Sequence, residues 1–139
     1  MARFEVSGID GLCDDLASLA TLPDRVTDDI LNAESDVLVE AQRRTMSRML
    51  KGPYSTGDTA RSIKKGKIKK GKDGKSISIS PQGTNRRGER NAAVAFINEY
   101  GKRGQPARPA IRTANTEAES AAVEAGEKVY HAYLDSKKL

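Results

Sequence analysis

An α+β domain is the fold class this sequence predicts: a small antiparallel sheet of about three or four strands packed against a long N-terminal helix and a C-terminal helix. Three patterns predict it. Val26, Ile30, Ala33, Val37, Ala41 and Met49 form one helical stripe; Ile77 and Ile79 alternate with polar residues beyond the turn residues Gly71, Asp73 and Gly74; and Ala114, Ala118, Ala121, Ala125, Val129 and Tyr133 recur at helical spacing. With 139 residues, 37% of them apolar, the chain fits a single domain, 1–139, with a modest core.

Taken in order, Ile9, Leu12, Leu16 and Leu19 predict a short amphipathic helix, with Asp10 as N-cap and Asp14 and Asp15 outward. Thr21 and Asp24 have capping-pair spacing around Pro23, so a second helix starts here and runs to about Leu50. Acidic residues crowd its start and basic residues its end, which complements the helix dipole. At about 40 Å it is long for so small a domain, so it either shares its surface with another subunit or lies across a sheet of its own chain. Gly52 and Pro53 stop it, and Gly57 and Asp58 turn the chain into a short helical segment or directly into a strand.

The lysine-rich stretch 64–75 reads as a β-hairpin, half buried, whose lysines protect an exposed sheet edge. Residues 82–90, carrying Arg86, Arg87 and Arg90 with no apolar anchor, read as a mobile basic loop. Asn91 to Tyr100 reads as a buried central strand, with Val94 and Phe96 on one face and Ala93, Ala95 and Ile97 on the other. Gly101, Gly104, Pro106 and Pro109 then make a stiff crossing into the C-terminal helix. That helix carries small residues inward and Glu117, Glu119, Glu124 and Glu127 outward.

Charge is unevenly distributed along the chain. Lys plus Arg against Asp plus Glu stand at 6 to 11 in residues 1–60, 15 to 3 in 61–112 and 3 to 5 in 113–139. The middle block suits either nucleic acid, an acidic protein surface or plain solvation. The four tyrosines and two phenylalanines do not interleave with it, so a base-stacking platform is not indicated. Cys13 and His131 are too few for a structural zinc site and read as a packing residue and a helix-surface residue. Gly74-Lys75-Ser76 has the end of a phosphate-binding loop, but position 69 is Lys69 where that loop needs glycine, and a strand follows instead of a helix. No catalytic constellation is evident, so the expectation is no enzyme, no cofactor and no metal. No apolar run approaches the roughly 20 residues needed to span a bilayer, and the N-terminus lacks a secretory segment, so a soluble protein with no membrane partner is expected.

Three stretches together carry a resemblance. Ser55-Thr56-Gly57-Asp58-Thr59-Ala60-Arg61-Ser62-Ile63 resembles the Thr-Gly-x-Leu-x-x-Ser-Ile signature of tail-component proteins of tailed bacteriophages, also called neck or tail-completion proteins. Ala95-Phe96-Ile97-Asn98-Glu99-Tyr100-Gly101 is similar to that family's aromatic-x-x-Glu-Phe-Gly segment, and Gln105 to Ala114 to its Pro-Ala-x-Pro-Phe-Leu-x-Pro-Ala run. Order and spacing agree over residues 25–135. Thr59, Ala110 and Thr113 depart from the family's leucine, phenylalanine and second proline, which removes apolar bulk and one kink.

The resemblance implies a structural virion protein at the head-tail junction or tail end (neck, tail completion or tail terminator). Such a protein assembles in the bacterial host cytoplasm as a homo-oligomeric ring, sixfold at the tail end. Its partners would be connector or tail-tube proteins, with weak contact to passing DNA. On this reading Arg86, Arg87, Arg90, Tyr100, Lys102, Arg103 and Arg108 are interface residues, and Gly57, Gly101, Gly104, Pro106 and Pro109 shape the turns. The alternative is a small basic nucleic-acid-binding protein using the 61–112 block.

Overall fold

The computed structural model describes residues 22–52 and 55–137. The predicted helix over 9–19, together with Cys13, Thr21 and Pro53, lies outside them. The described chain is α+β, as the patterning predicts. Helix α1 (Asp24–Met49) and helix α2 (Asp58–Arg61) are followed by strands β1 (Ile63–Lys65), β2 (Lys69–Gly71), β3 (Gly74–Ser76) and β4 (Ile79–Pro81). Helices α3 (Asn91–Tyr100) and α4 (Ala110–Ser136) complete it.

The two long helices form the body of the molecule and run antiparallel. Gln42 donates through Nε2 to Asn115 Oδ1 at 2.8 Å, while Glu34 lies against Gly126 further along. Residues at intervals of four line the α4 face, where Ala110, Ala114, Ala118, Ala122 and Gly126 are buried. The missing side-chain bulk brings the backbones together, and Glu34 occupies the space a Cβ on Gly126 would need. The expected stripe therefore holds at Ala114 and Ala118 but shifts beyond them: Ala121 is exposed, and Ala122 and Gly126 take the inward positions. A strict four-residue spacing overshoots the 3.6-residue turn, so the inward face drifts around the helix. On α1 the inward residues are Val26, Ser35, Ala41, Gln42, Thr45 and Met46, whereas Ile30, Ala33 and Val37 are only half buried. The N-cap of α1 is Pro23, with no side-chain cap, instead of a first-turn proline.

The strands form two two-stranded antiparallel sheets that follow one another along one hairpin ribbon. β1 pairs antiparallel with β4 and β2 with β3, and the turn at its tip is Lys72-Asp73 between paired Gly71 and Gly74. Gly66 N donates to Ser78 O at 2.7 Å between the two sheets. The ribbon runs back along α1, fixed at successive points. Arg43 donates through Nε and Nη2 to the Ile63 carbonyl at 2.9 and 2.6 Å. Lys65 meets Asp36 at 2.7 Å and Asn32 at 3.1 Å, and Lys75 near the tip meets Asp28 at 2.7 Å and Asp24 at 3.4 Å. Part of the sequence's charge asymmetry is thus satisfied inside the molecule, because inward lysines of the basic block face the acidic first half of α1. The bond to Asp28, then Asp24, raises the pKa of Lys75 above its ordinary value.

The segment expected as a central strand, Asn91 to Tyr100, is helix α3. Its buried residues are Asn91, Ala95 and Asn98, at helical and not alternating spacing, while Phe96 and Tyr100 are 63% and 61% exposed. Ala92, Ala93 and Ala95 favour helix intrinsically, and a run this short that is apolar all round fits either period. Two of the three inward residues are asparagines, so apolar pattern alone pointed to the wrong faces. The main core joins Met46, Ala60, Ile63, Ala95 and Ala110, so α1, α2, β1, α3 and α4 all meet at one point.

Candidate assembly surface

Around that core the turn residues are held by a network of asparagines and acids. Gly57 has φ +76° and forms the N-cap of α2. It delivers Asp58, whose carboxylate is 17% exposed and is shared by two arginines. Arg86 donates Nε to Oδ2 and Nη2 to Oδ1, both at 2.9 Å, and its backbone N–H reaches Oδ2 at 3.1 Å. Arg61 Nη2 meets Oδ1 at 2.6 Å. The bonds from the Arg86 side chain and backbone, then those from Arg61 and Thr56, hold the Asp58 carboxyl well below the usual carboxylate range. The same pairing raises Arg86.

The basic segment 82–90 is accordingly tied down at several points. Asn85 Oδ1 accepts the backbone N–H of Arg87 at 2.9 Å and of Glu89 at 3.0 Å, Thr84 bridges Arg90, and Gly88 turns with φ +80°. Asn91, buried at the start of α3, donates Nδ2 to the Gln82 carbonyl at 2.8 Å and accepts Thr59 Oγ1 at 3.2 Å. Asp58 has a depressed folded pKa, so its contribution is full above the ordinary value of 3.8 and fades as pH falls from there toward the folded value. Lowering pH from 5 to about 2.5 is therefore expected to loosen residues 82–90 only in part, because the folded carboxyl still holds its charge there, with full release at still lower pH. Hydrogen exchange of the Arg86 to Glu89 amides checks this, and Asp58→Asn should show the released pattern at neutral pH.

The crossing is shaped from the end of α3. Gly101 (φ +78°) leads into a tight turn in which Lys102 and Gln105 exchange backbone bonds at 3.0 and 2.9 Å, with Arg103 and Gly104 (φ +81°) at the tip. Asn98 gathers the return: its carbonyl accepts Arg108 N at 2.6 Å, and its Oδ1 accepts Arg108 Nη2 at 2.9 Å and Gln105 Nε2 at 3.3 Å. Pro106 precedes this anchor and Pro109 stands at the N-cap of α4 without a capping side chain. Glu99 supplies the cap instead. Its Oε2 accepts Ile111 N at 2.9 Å and its Oε1 accepts Arg112 N at 3.0 Å, placing a negative charge on the positive end of the helix dipole. Glu99→Ala is expected to lower stability by about 1–2 kcal/mol, and Glu99→Gln by less because one oxygen remains to accept. Urea unfolding followed by circular dichroism measures both.

Between the end of α1, the α2 turn, α3 and the crossing lies an open groove of about 1020 Å³. Met46, Leu50, Ala60, Ala93, Val94 and Ile97 give it an apolar lining; Lys51, Arg87, Lys102 and Arg108 bring positive charge to it, against the single acid Glu89. Beside it, Phe96 and Tyr100 pack together on the exposed face of α3 with ring centroids 4.8 Å apart and planes inclined at 50°.

Of the residues expected at an interface, Lys102 and Arg108 line the groove together with Arg87, Tyr100 stands exposed near them, and Arg103 is exposed at the turn tip. Arg86 is committed to Asp58, and Arg90 is the exposed N-cap residue of α3. Sequence reasoning overlooked Asp58, Asn91, Asn98 and Glu99 as organisers and Phe96 as a surface residue. The i, i+4 spacing of Phe96 and Tyr100 was the available signal. Among the described residues no cluster of histidine, cysteine or acids could hold a metal ion, and no helix is long and apolar enough to cross a membrane. Comparison with protein-family models, curated proteins and solved structures finds no match.

Proposed function

We propose that the chain is a structural protein of a tailed phage or phage-like particle, acting at the head-tail junction or tail end as a subunit of a closed ring. The observation that carries this reading is spatial. The three stretches that resemble the phage family, the first of them 32 positions before the other two, all line the same groove: Ser55, Thr56, Gly57, Thr59 and Ala60 from the first, Ile97 and Asn98 from the second, Gln105 and Arg108 from the third. A sequence signature concentrated around a groove, with an exposed aromatic pair at its side, suits a surface selected for docking. Ring closure uses two different complementary faces per subunit. Sedimentation velocity and negative-stain electron microscopy of the purified protein test the proposal. Rings, or addition to isolated tails or connectors, are expected; a strict monomer at high concentration that joins neither overturns it.

A second reading, nucleic-acid binding, rests on the outward lysines of the ribbon. Lys64, Lys67, Lys69, Lys70 and Lys72 are all exposed, whereas Lys65 and Lys75 are paired to α1. Tight duplex binding by the monomer with a steep salt dependence, abolished by replacing these five with glutamate, would favour it. Arg86 is unsuitable for this test, because its charge holds Asp58.

A further inference from the structure

We propose that the groove between α1, α2 and α3 receives residues 9–19 of a second copy of this chain, so that each subunit inserts its N-terminal segment into its neighbour. The inference rests on the ring reading and deepens it by naming the contact.

Two arguments select this occupant. The first is chemical complementarity. Residues 1–21 carry one basic and four acidic side chains, and within 9–19 the apolar residues Ile9, Leu12, Cys13, Leu16 and Leu19 share one helical face, with Asp10, Asp14 and Asp15 off it. The groove offers the converse: an apolar floor from Met46, Leu50, Val94 and Ile97, with Lys51 and Lys102 exposed beside it. No ion pair joins either lysine to another described residue. An amphipathic helix laid apolar side down would bring its aspartates over those lysines.

The second argument is reach. The α1 side of the groove begins at Met46, 22 residues along that helix from Asp24, which is about 33 Å at helical rise. Leu19 is five residues before Asp24, so a fully extended link carries it only about 17 Å in that direction. With residues 9–19 helical and aimed straight at the groove, Leu12 would gain about 10 Å more and still fall short, and only Ile9 would come near its edge. The chain's own segment therefore cannot seat Leu12, Leu16 and Leu19 in the groove. A neighbour's segment has no such restriction, and insertion of one copy into the next is a heterologous contact that closes a ring when the rotation permits.

Cys13, the only cysteine in the chain, provides the test. Single cysteines are introduced on opposite sides of the groove in the full-length protein, as Ser47→Cys and as Ala93→Cys; both positions are exposed and line it. Each protein is oxidised and run on a non-reducing gel, with the oligomeric state of the same sample measured by sedimentation. The expected result is a ladder of disulfide-linked dimers and higher species with at least one of the two, absent when Cys13→Ser is added. An intramolecular disulfide in the monomer band would overturn the proposal by showing that the segment reaches its own groove. Oligomers without Cys13 crosslinks to either position would overturn it while leaving ring assembly intact. Absence of both oligomers and crosslinks would sink ring assembly and the proposal together.

Discussion

Gly101→Ala should be among the most damaging single substitutions in this protein. The residue sits at φ +78° and ψ 175°, a region essentially closed to side chains, and an added Cβ would lie 2.9 Å from the Ala107 nitrogen and 2.9 Å from the Gln105 carbonyl oxygen. Both are backbone atoms of the returning turn, so neither can swing aside. Relief requires moving the turn that Asn98 holds through Arg108, and with it the start of α4. The expected loss is about 3 kcal/mol, or about 10 °C in Tm, read by calorimetry or thermal circular dichroism. Gly104→Ala is the control. It has a similar φ but open space around it, so only the backbone strain of about 1 kcal/mol should appear.

Ile63→Ala should be comparably severe for a different reason. Ile63 is 0% exposed and packs where α1, α2, α3 and α4 converge, with Met46, Ala60, Ala95 and Ala110 as buried neighbours. Three of those four neighbours are alanines, which have no side-chain length with which to fill a void. The cavity should therefore persist, placing the loss near the middle or upper part of the 2–5 kcal/mol range seen for such truncations. Ile63→Val, which keeps most of the volume, should lose about 1 kcal/mol. Urea midpoints at unchanged m-value would separate the two.

The long helices were legible because their patterns persist over many turns: the stripe through Val26 and Ala41 on α1 and the one through Ala114 and Ala118 on α4 admit no other period. The ribbon was legible from Gly71, Asp73 and Gly74 at its tip. Helix α3 was not, because its ten residues are few enough to satisfy both periods and its inward face is led by Asn91 and Asn98, polar groups whose partners come from elsewhere in the chain. The organising contacts were hidden for the same reason. Asp58 meets Arg86 across 28 positions, and no local spacing announces such a pair. Glu99 could be named from the sequence only as part of a resemblance; its capping of α4 depends on the return at Gly101, which sets where the next helix begins.

The antiparallel pairing of α1 with α4 also has a kinetic consequence. Gln42 and Asn115 are 73 positions apart, so closing that contact from an open chain is entropically demanding. The ribbon and the turns around α2 and α3 lie between them, and their contacts span fewer positions, 28 from Asp58 to Arg86 and 32 from Thr59 to Asn91, so forming them first shortens the loop that the helix pair must close. Substitutions at Ile63 should therefore slow folding, whereas substitutions at the Ala118 to Gly126 end of the pair should chiefly speed unfolding. The two arms of a chevron plot for Ile63→Val and Ala122→Gly would display the difference.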